Sequence, residues 1–394
     1  MLLSPDFRLN FELTNPTSFV SFEDTRFPIG LGGIRLFPNV NEHEVKLLAN
    51  AMARKLHYFH LPIGGAKAGI NSSDINDLYR FVNHKLIKSM LTGNNPNNLT
   101  FVTGPDLGTS EAEFQDALTL AGLDEFRRSG LLAQKSETHG LQLDNIVTAL
   151  GCIESIKALI AYNGDLADSD RIRISIEGFG KIGTGIAALL QDNMDLVGVS
   201  TKFGSVYNTD GFSAKELLDA QKKHGDKFIY EISDNINSTA QLFEEPSDII
   251  IPGARTEVIT STIAKSIINK SKPNYIVPVA NFPYTDEGRQ ILERNKILCF
   301  PDFISSAGAV IAAITEFAEV GTEENATKLG RDAMNSEISD LLRSKKSHES
   351  IFMLAKNQSL VNKSALLKEV QNSKGSDMKE ISTKFIEKYS PNLL

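Results

Sequence analysis

Three groups of residues in this chain have types and spacings that can do chemistry. The first is a pair of lysines, Lys67 in the small-residue run GGAKAG and Lys55 twelve positions earlier. Lysines are seldom buried without a partner or a purpose. Lys55 falls one helical step beyond Met52, on or beside an apolar helix face, where a snorkelling surface lysine would show the same pattern. Small neighbours around Lys67 let a ligand come close and desolvate the ammonium, which suits it to acid or base work. The second group is Asp106 in GPDLGT, a strand-end turn that can supply a partner carboxylate. Ordinary loop charges would also fit Lys67 and Asp106.

The third group is glycines. Gly178, Gly180 and Gly183 follow the β-branched run Ile172–Glu177 and precede a helical pattern. A strand, a glycine turn and a helix inside a βαβ unit read as a dinucleotide-binding turn, and a glycine turn that only packs helix on strand is the alternative. The glycines let the backbone approach a pyrophosphate, and the helix amino terminus offers unpaired N–H groups. A carboxylate is expected at the end of the next strand to hold a ribose hydroxyl. Ser200, Thr201 and Lys202 stand there instead. A missing carboxylate removes repulsion of a 2′-phosphate and Lys202 can attract one, which leans towards NADP or dual use; a solvated loop lysine is the alternative.

The elements that must carry these groups follow from periodicity. Residues 9–23 and 27–36 read as short strands. Val45, Leu48, Ala49, Met52, Ala53 and Leu56 recur at helical spacing, with Asn41 as cap and Glu44 completing a capping-box-like start. Pro62 and the glycines of LPIGGAKAGI stop that helix. Residues 74–92 read as one helix, LTFVTGPDLG as a strand into a turn, and EAEFQDALTLAG as a helix. A long helix over about 144–162 opens an alternation of strands (Ile172–Glu177, LVGVST, SDIIIPGA, YIVPVAN, ILCFPD) and helices. Such alternation predicts a parallel sheet with crossover connections. A long helix follows, and the charged tail from about 324 reads as helical throughout. The expected domains are 1–140, 141–325 and a helical tail 326–394.

Composition narrows the class. The 394 residues allow two or three domains, and 41% hydrophobic with 23% charged residues is ordinary for a globular chain. Acidic residues outnumber basic ones, 49 to 41, for a net charge of −8, which argues against nucleic acid as the main partner. Cys152 and Cys299 sit in apolar runs and read as buried thiols of a reducing compartment. The start, MLLSPDFRLNFEL, lacks a basic segment followed by an apolar stretch, and no membrane span is expected, so the expectation is a cytoplasmic protein. His57 and His60 lack further ligands at metal spacing, so no metal is expected. The run RSKKSH reads as a solvated helix face.

Taken in order, LPIGGAKAGI, GPDLGT, EGFGKIG and PDFISSAGAV resemble the glutamate/leucine/phenylalanine/valine dehydrogenase superfamily over about residues 20–320. The resemblance implies reversible, NAD- or NADP-dependent oxidative deamination of an L-amino acid to a 2-oxo acid and ammonia. It implies an α/β protein with two domains around a cleft: an amino-terminal substrate domain and a Rossmann-type dinucleotide domain, with carboxy-terminal helices returning to the first, and a homo-oligomer. By the same resemblance Lys67 matches the catalytic lysine, Asp106 the proton-moving aspartate, and Lys55 the lysine that grips the substrate carboxylate. Thr148 and Asn281 match cofactor-cleft residues, joined by Gly178, Gly180, Lys181, Ile182, Gly183, Thr201, Lys202 and Ala254.

Glutamate-specific members place a lysine before the GGIR segment, a serine on the helix after the AGG motif, and a glutamine three before the carboxylate lysine. Here those positions are Leu31, Ala313 and Met52, beside Gly33 of GGIR. All three changes remove groups that can hold a second carboxylate, so an apolar or aromatic side chain is expected. The segment GSVYNTDGFSAKELLDAQKKHG, by contrast, is more similar to the glutamate branch, and glutamate dehydrogenase is the alternative. The chain departs from the family at Ala68, Ser306, Ala309, Pro278 and Glu257. Those departures motivate a second alternative, a catalytically retired homologue that binds or regulates.

Overall fold

The computed structural model describes residues 8–126, 130–346, 349–372 and 377–394. The opening heptapeptide and the last two residues of RSKKSH therefore lie outside the described residues. The chain divides into two compact units: Met1–Gly130 with Asn357–Phe385, and Leu131–Lys356 with Ile386–Leu394.

In the first unit, β1 (Leu9–Thr14) and β2 (Thr17–Phe22) make a hairpin, and β3 (Ile29–Leu36) is joined by α1 (Glu42–Tyr58) to β4 (Gly64–Ile70). Helices α2 (Ile75–Asn83) and α3 (Lys85–Leu91) precede β5 (Thr100–Pro105) and α4 (Glu111–Leu120). The sheet order is β1-β2-β4-β3-β5, with β4 central, parallel to β3 and antiparallel to β2. Thus GGAKAGI, expected only to end a helix, is a fully buried strand. Its small residues give no hydrophobic periodicity to read, and sheet pairing on both sides decides its state. Strand alternation then sorts its side chains. Ala66 and Ala68 enter the core with Phe22, Ile34 and Phe101, whereas Lys67 takes the other face.

Helix α1 is capped by the Asn41 side chain, which accepts from the Glu44 N–H. The Glu44 carboxylate does not complete a capping box; it pairs with the Arg35 guanidinium. The helix expected over 74–92 breaks at His84, whose backbone is extended and whose Nδ1 accepts from the Leu86 N–H at the start of α3.

The second unit begins with α5 (Leu143–Asn163), then β6 (Ile172–Glu177), α6 (Lys181–Leu189), β7 (Met194–Thr201), β8 (Gly204–Phe212), α7 (Ala214–His224) and α8 (Ile229–Ile232). There follow β9 (Ile249–Pro252), α9 (Ser261–Asn269), β10 (Tyr275–Ile276), α10 (Asp286–Arg294) and β11 (Leu298–Cys299). The long helix expected next is interrupted at Ser306, giving α11 (Asp302–Ser305) and α12 (Gly308–Phe317); α13 (Glu323–Ser344), α14 (Ile351–Asn372) and α15 (Met378–Tyr389) complete the chain. The sheet order is β11-β10-β9-β6-β7-β8. It is parallel except for β8, an antiparallel edge strand that the alternation did not predict. Strand order reverses between β6 and β9, which makes the carboxyl ends of these two strands the place where such sheets bind ligands. Helix α5 is long and apolar enough to cross a membrane by composition, but in the fold it is mostly buried. Cys152 and Cys299 are both free and buried.

The boundaries differ from those expected. Residues 131–140 go with the second unit because the Leu131 N–H donates to Glu316 (2.8 Å) and the Ser136 hydroxyl to Glu323 (2.6 Å). Within the tail, α13 packs on α5 in the second unit, and only 357–385 belong to the first. The last residues stay with the second unit, where the Ser390 hydroxyl donates to Asp332 at 2.6 Å.

Candidate active site

In the first unit the sheet brings Lys67 and Asp106 together. Lys67 Nζ on β4 lies 2.6 Å from Asp106 Oδ2 in the turn after β5. Lys55, in the last turn of α1, and Lys67 are each 7% exposed. Gly33, on β3 between these two strands, is what makes the room. A Cβ there would sit 3.0 Å from Asp106 Cβ, 3.1 Å from the Pro105 carbonyl oxygen and 3.4 Å from Lys67 Nζ. The turn itself is held by Thr109, whose Oγ1 accepts from the Asp106 N–H at 2.9 Å and donates to the Ile34 carbonyl at 3.2 Å.

One member of this cluster was missed. Arg35 Nε donates to the same Asp106 Oδ2 at 3.1 Å, while its other side reaches Glu44 of α1. Its signal was present, since Arg35 is two residues beyond Gly33 and strand alternation puts both on one face. Burial by itself pushes the Asp106 carboxyl up, but the charges of Lys67 and Arg35, with hydrogen bonds from Lys67 and the Leu107 backbone, hold it well below the usual carboxylate range. Asp106 is therefore held as a carboxylate.

Leu31 is buried on β3 and Met52 half-buried on α1. Ala68 faces the hydrophobic core, away from Lys67, so this departure from the family pattern leaves the Lys67 face unchanged. His57 does not present a ligand to solvent. Its ring packs against Phe27, tilted by 30° with centroids 4.8 Å apart, and burial, then the Lys363 charge, lower its pKa to about 3.

In the second unit the glycine turn lies at the strand-order reversal. Gly178 has φ +94°, a conformation that favours glycine, and a Cβ there would also meet Ala254 Cβ at 2.7 Å. Gly183 closes the turn against the helix, since its Cβ would come within 2.6 Å of the Gly178 carbonyl oxygen. At Gly180, by contrast, a Cβ would meet nothing within 4 Å. Gly180 is the N-cap of α6 and no side chain caps it; exposed Lys181 and half-buried Ile182 follow. An uncapped helix start with room at Gly180 fits a dinucleotide pyrophosphate.

Ser200 does not reach a ribose. It is fully buried, and its Oγ accepts from the Gly178 N–H (3.2 Å) while its carbonyl accepts from Phe179 (2.7 Å). Thr201 is spent as well: its hydroxyl donates to the Asp226 carbonyl at 2.9 Å. Lys202 is exposed and pairs with the Asp226 carboxylate at 3.2 Å. Asp226, after α7, is thus the carboxylate that lies beside the end of β7, a neighbour that strand spacing could not reveal. Glu177 was also missed. Buried at the end of β6, it accepts from the N–H groups of Gly253 (3.1 Å) and Ala254 (2.9 Å) and braces the loop after β9.

Thr148 lies on α5, where Gly308 packs directly on the helix backbone; a Cβ at Gly308 would fall 3.0 Å from the Thr148 nitrogen. Ser306 is buried and donates to the Asp302 carbonyl at 2.6 Å, Ala309 is half-buried, Ala313 is buried on α12, and Asn281 is half-buried after β10. The Pro278 carbonyl accepts from Ser305, and exposed Glu257 has φ +51°. Among the described residues no group of three or more His, Cys, Asp or Glu could hold a metal ion.

Comparison with known proteins accounts for both halves. A curated relative, the NAD-specific glutamate dehydrogenase of Staphylococcus aureus, is 29% identical over 300 residues, 73% of this chain and 69% of its own. The NADP-specific glutamate dehydrogenase of Synechocystis is 28% identical over 318 residues, 76% of this chain and 71% of its own. Among solved structures, the hetero-hexameric glutamate dehydrogenase of Thermus thermophilus superposes with TM-score 0.73 at 20% identity, covering 94% of this chain and 89% of that one. The L-tryptophan dehydrogenase of Nostoc punctiforme superposes with TM-score 0.58 at 20% identity, covering 93% and 96%. Residues 15–118 match the Glu/Leu/Phe/Val dehydrogenase dimerisation domain and residues 140–372 the Glutamate/Leucine/Phenylalanine/Valine dehydrogenase profile, so the chain belongs to the Glu/Leu/Phe/Val dehydrogenase family.

Proposed function

We propose that this NAD(P)-dependent amino-acid dehydrogenase interconverts an L-amino acid with an apolar or aromatic side chain and its 2-oxo acid plus ammonia. The observation that carries the assignment of roles is the Lys67–Asp106 pair at 2.6 Å, on a face that Gly33 keeps open. When bound, the nicotinamide accepts hydride from the substrate α-carbon. Lys55 supplies a fixed positive charge for the α-carboxylate. Lys67 stabilises negative charge developing on oxygen and orients water. Asp106 receives the amine proton once substrate loosens its pairing with Lys67, and returns it in the reverse direction. The residues proposed to hold the dinucleotide are the turn Gly178–Gly183, Ala254, Thr148 and Asn281, with Lys202 near its ribose end.

The side-chain preference rests on charge. Arg35 is paired with both Glu44 and Asp106, and Lys67 is assigned to the reacting oxygen, so neither is offered to a second carboxylate. Leu31, Met52 and Ala313 add no polar group able to hold one. A buried carboxylate without a partner costs several kcal/mol. The test is consumption of NADH and NADPH with ammonia and a panel of oxo acids: ketoisocaproate, phenylpyruvate, indolepyruvate and oxoglutarate. Turnover with one of the first three, with oxoglutarate the poorest, is expected. Oxoglutarate as the best substrate would overturn the preference. Tight dinucleotide binding with no turnover of any oxo acid would favour a retired homologue. The relatives' assembly supports an oligomer, tested by light scattering of the purified chain.

A further inference from the structure

Helix α1 ends at Tyr58, and its last-turn carbonyls have no partners within the helix. Local turns answer some of them: the Leu61 N–H donates to the Leu56 carbonyl at 2.9 Å and the His60 N–H to that of His57 at 3.1 Å. Further partners for this turn come from the far end of the sequence. Asn362 Nδ2 on α14 lies 3.1 Å from both the His57 and Tyr58 carbonyl oxygens, and the Ser359 hydroxyl donates to the Arg54 carbonyl at 3.0 Å. Asn362 and Ser359 are 4% and 2% exposed. The amide of Asn362 is oriented by its own helix, since its Oδ1 accepts from Gln358 Nε2 at 2.7 Å. Lys363, on the same face, reaches Glu23 at 2.7 Å and Asp24 at 2.8 Å beyond β2. All of these residues belong to the first unit.

We infer that Asn362, with Ser359 beside it, is a positioning residue that fixes the last turn of α1 and so the Lys55 ammonium that receives the substrate carboxylate. The carbonyls it satisfies belong to His57 and Tyr58, which follow Lys55 within one turn, and Ser359 takes that of Arg54, the residue before it. Helix ends without caps fray and open locally. A frayed last turn blurs the position of Lys55, while Lys67 stays on β4, which is paired with β2 on one side and β3 on the other. The inference rests on the proposed role of Lys55.

The test compares Asn362→Leu, Asn362→Gln, Ser359→Ala and Lys55→Ala in the full-length enzyme, using the best oxo acid of the panel. Asn362→Leu should raise KM for the oxo acid about tenfold, with kcat within about twofold and dinucleotide affinity unchanged. Asn362→Gln, which keeps the amide donors, should recover most of that loss. Ser359→Ala, the milder variant should Asn362→Leu fail to fold, should raise KM about threefold. Lys55→Ala should raise KM more than any of them. An unchanged KM in both Asn362→Leu and Ser359→Ala, or a fall in kcat alone, overturns the inference while leaving Lys55 in its role if Lys55→Ala raises KM. An unchanged KM in Lys55→Ala overturns the role of Lys55 and the inference together.

Discussion

Replacing Gly33 by alanine perturbs the site at one atom. Two of the three contacts the new Cβ would make, to the Pro105 carbonyl oxygen at 3.1 Å and to Asp106 Cβ at 3.0 Å, are with backbone or the atom next to it. Only Lys67 Nζ, at 3.4 Å, is the end of a flexible chain. The Asp106 turn must therefore shift by a few tenths of an ångström, and the 2.6 Å pair opens with it. A displacement of about 1 Å in a catalytic group costs about a hundredfold in rate, so this one should cost about tenfold in kcat/KM. Stability should change by less than about 1 kcal/mol, because alanine also restricts the unfolded chain. Gly180→Ala is the mirror experiment. Its Cβ meets no protein atom within 4 Å, so the fold should be unaffected. It enters the space proposed for the pyrophosphate, where lost hydrogen bonds to a charged group weaken binding about tenfold or more. Steady-state kinetics and fluorescence titration with NADH and NADPH read the two effects. Full activity in Gly33→Ala, or unchanged dinucleotide affinity in Gly180→Ala, would refute the reasoning for that half.

Other expectations follow from single groups. His57 is neutral in the fold, with its pKa lowered to about 3 by burial, so the unfolded chain binds the extra proton as pH falls from about 6.5 towards 3. Stability is thus full above that window and lost through it; denaturant titrations should show the slope in wild type and lose it in His57→Phe, and equal slopes would contradict the assignment. Asp24 runs in the same direction at lower pH: burial raises its pKa, but Arg26 and Lys363 outweigh this and lower it to about 2. Its contribution of about 2 kcal/mol is present above about pH 4 and lost as pH falls towards 2, so Asp24→Asn should cost that much near neutrality and converge with wild type in acid. Lys202→Ala should weaken NADPH about threefold and leave NADH unchanged, because an exposed, already paired lysine contributes little; equal losses for both would remove Lys202 from the choice of cofactor.

Much of the fold was legible because it rests on periodicity. The run Ile172–Glu177 is a strand with the bounds its β-branched residues suggest, and α5 occupies nearly the window its apolar pattern marks. What escaped notice was set by long-range pairing. GGAKAGI carries no periodic signal, yet β2 and β3 recruit it as the central strand. The Asn41 cap was readable from local spacing, while the competing claim of Arg35 on Glu44 was not. In the site, Lys67 and Asp106 were nameable from motif order. Asp226, Glu177 and Asn362 were not, because each acts on atoms far from it in sequence.

The most direct test of the catalytic assignment is Lys67→Ala, read by two measurements on the same preparation. Turnover of the best oxo acid with ammonia should fall by about a thousandfold or more, the range for loss of acid–base and oxyanion-stabilising groups, while dinucleotide affinity stays at the wild-type value. Retained turnover, or an equal loss of dinucleotide binding, would contradict it.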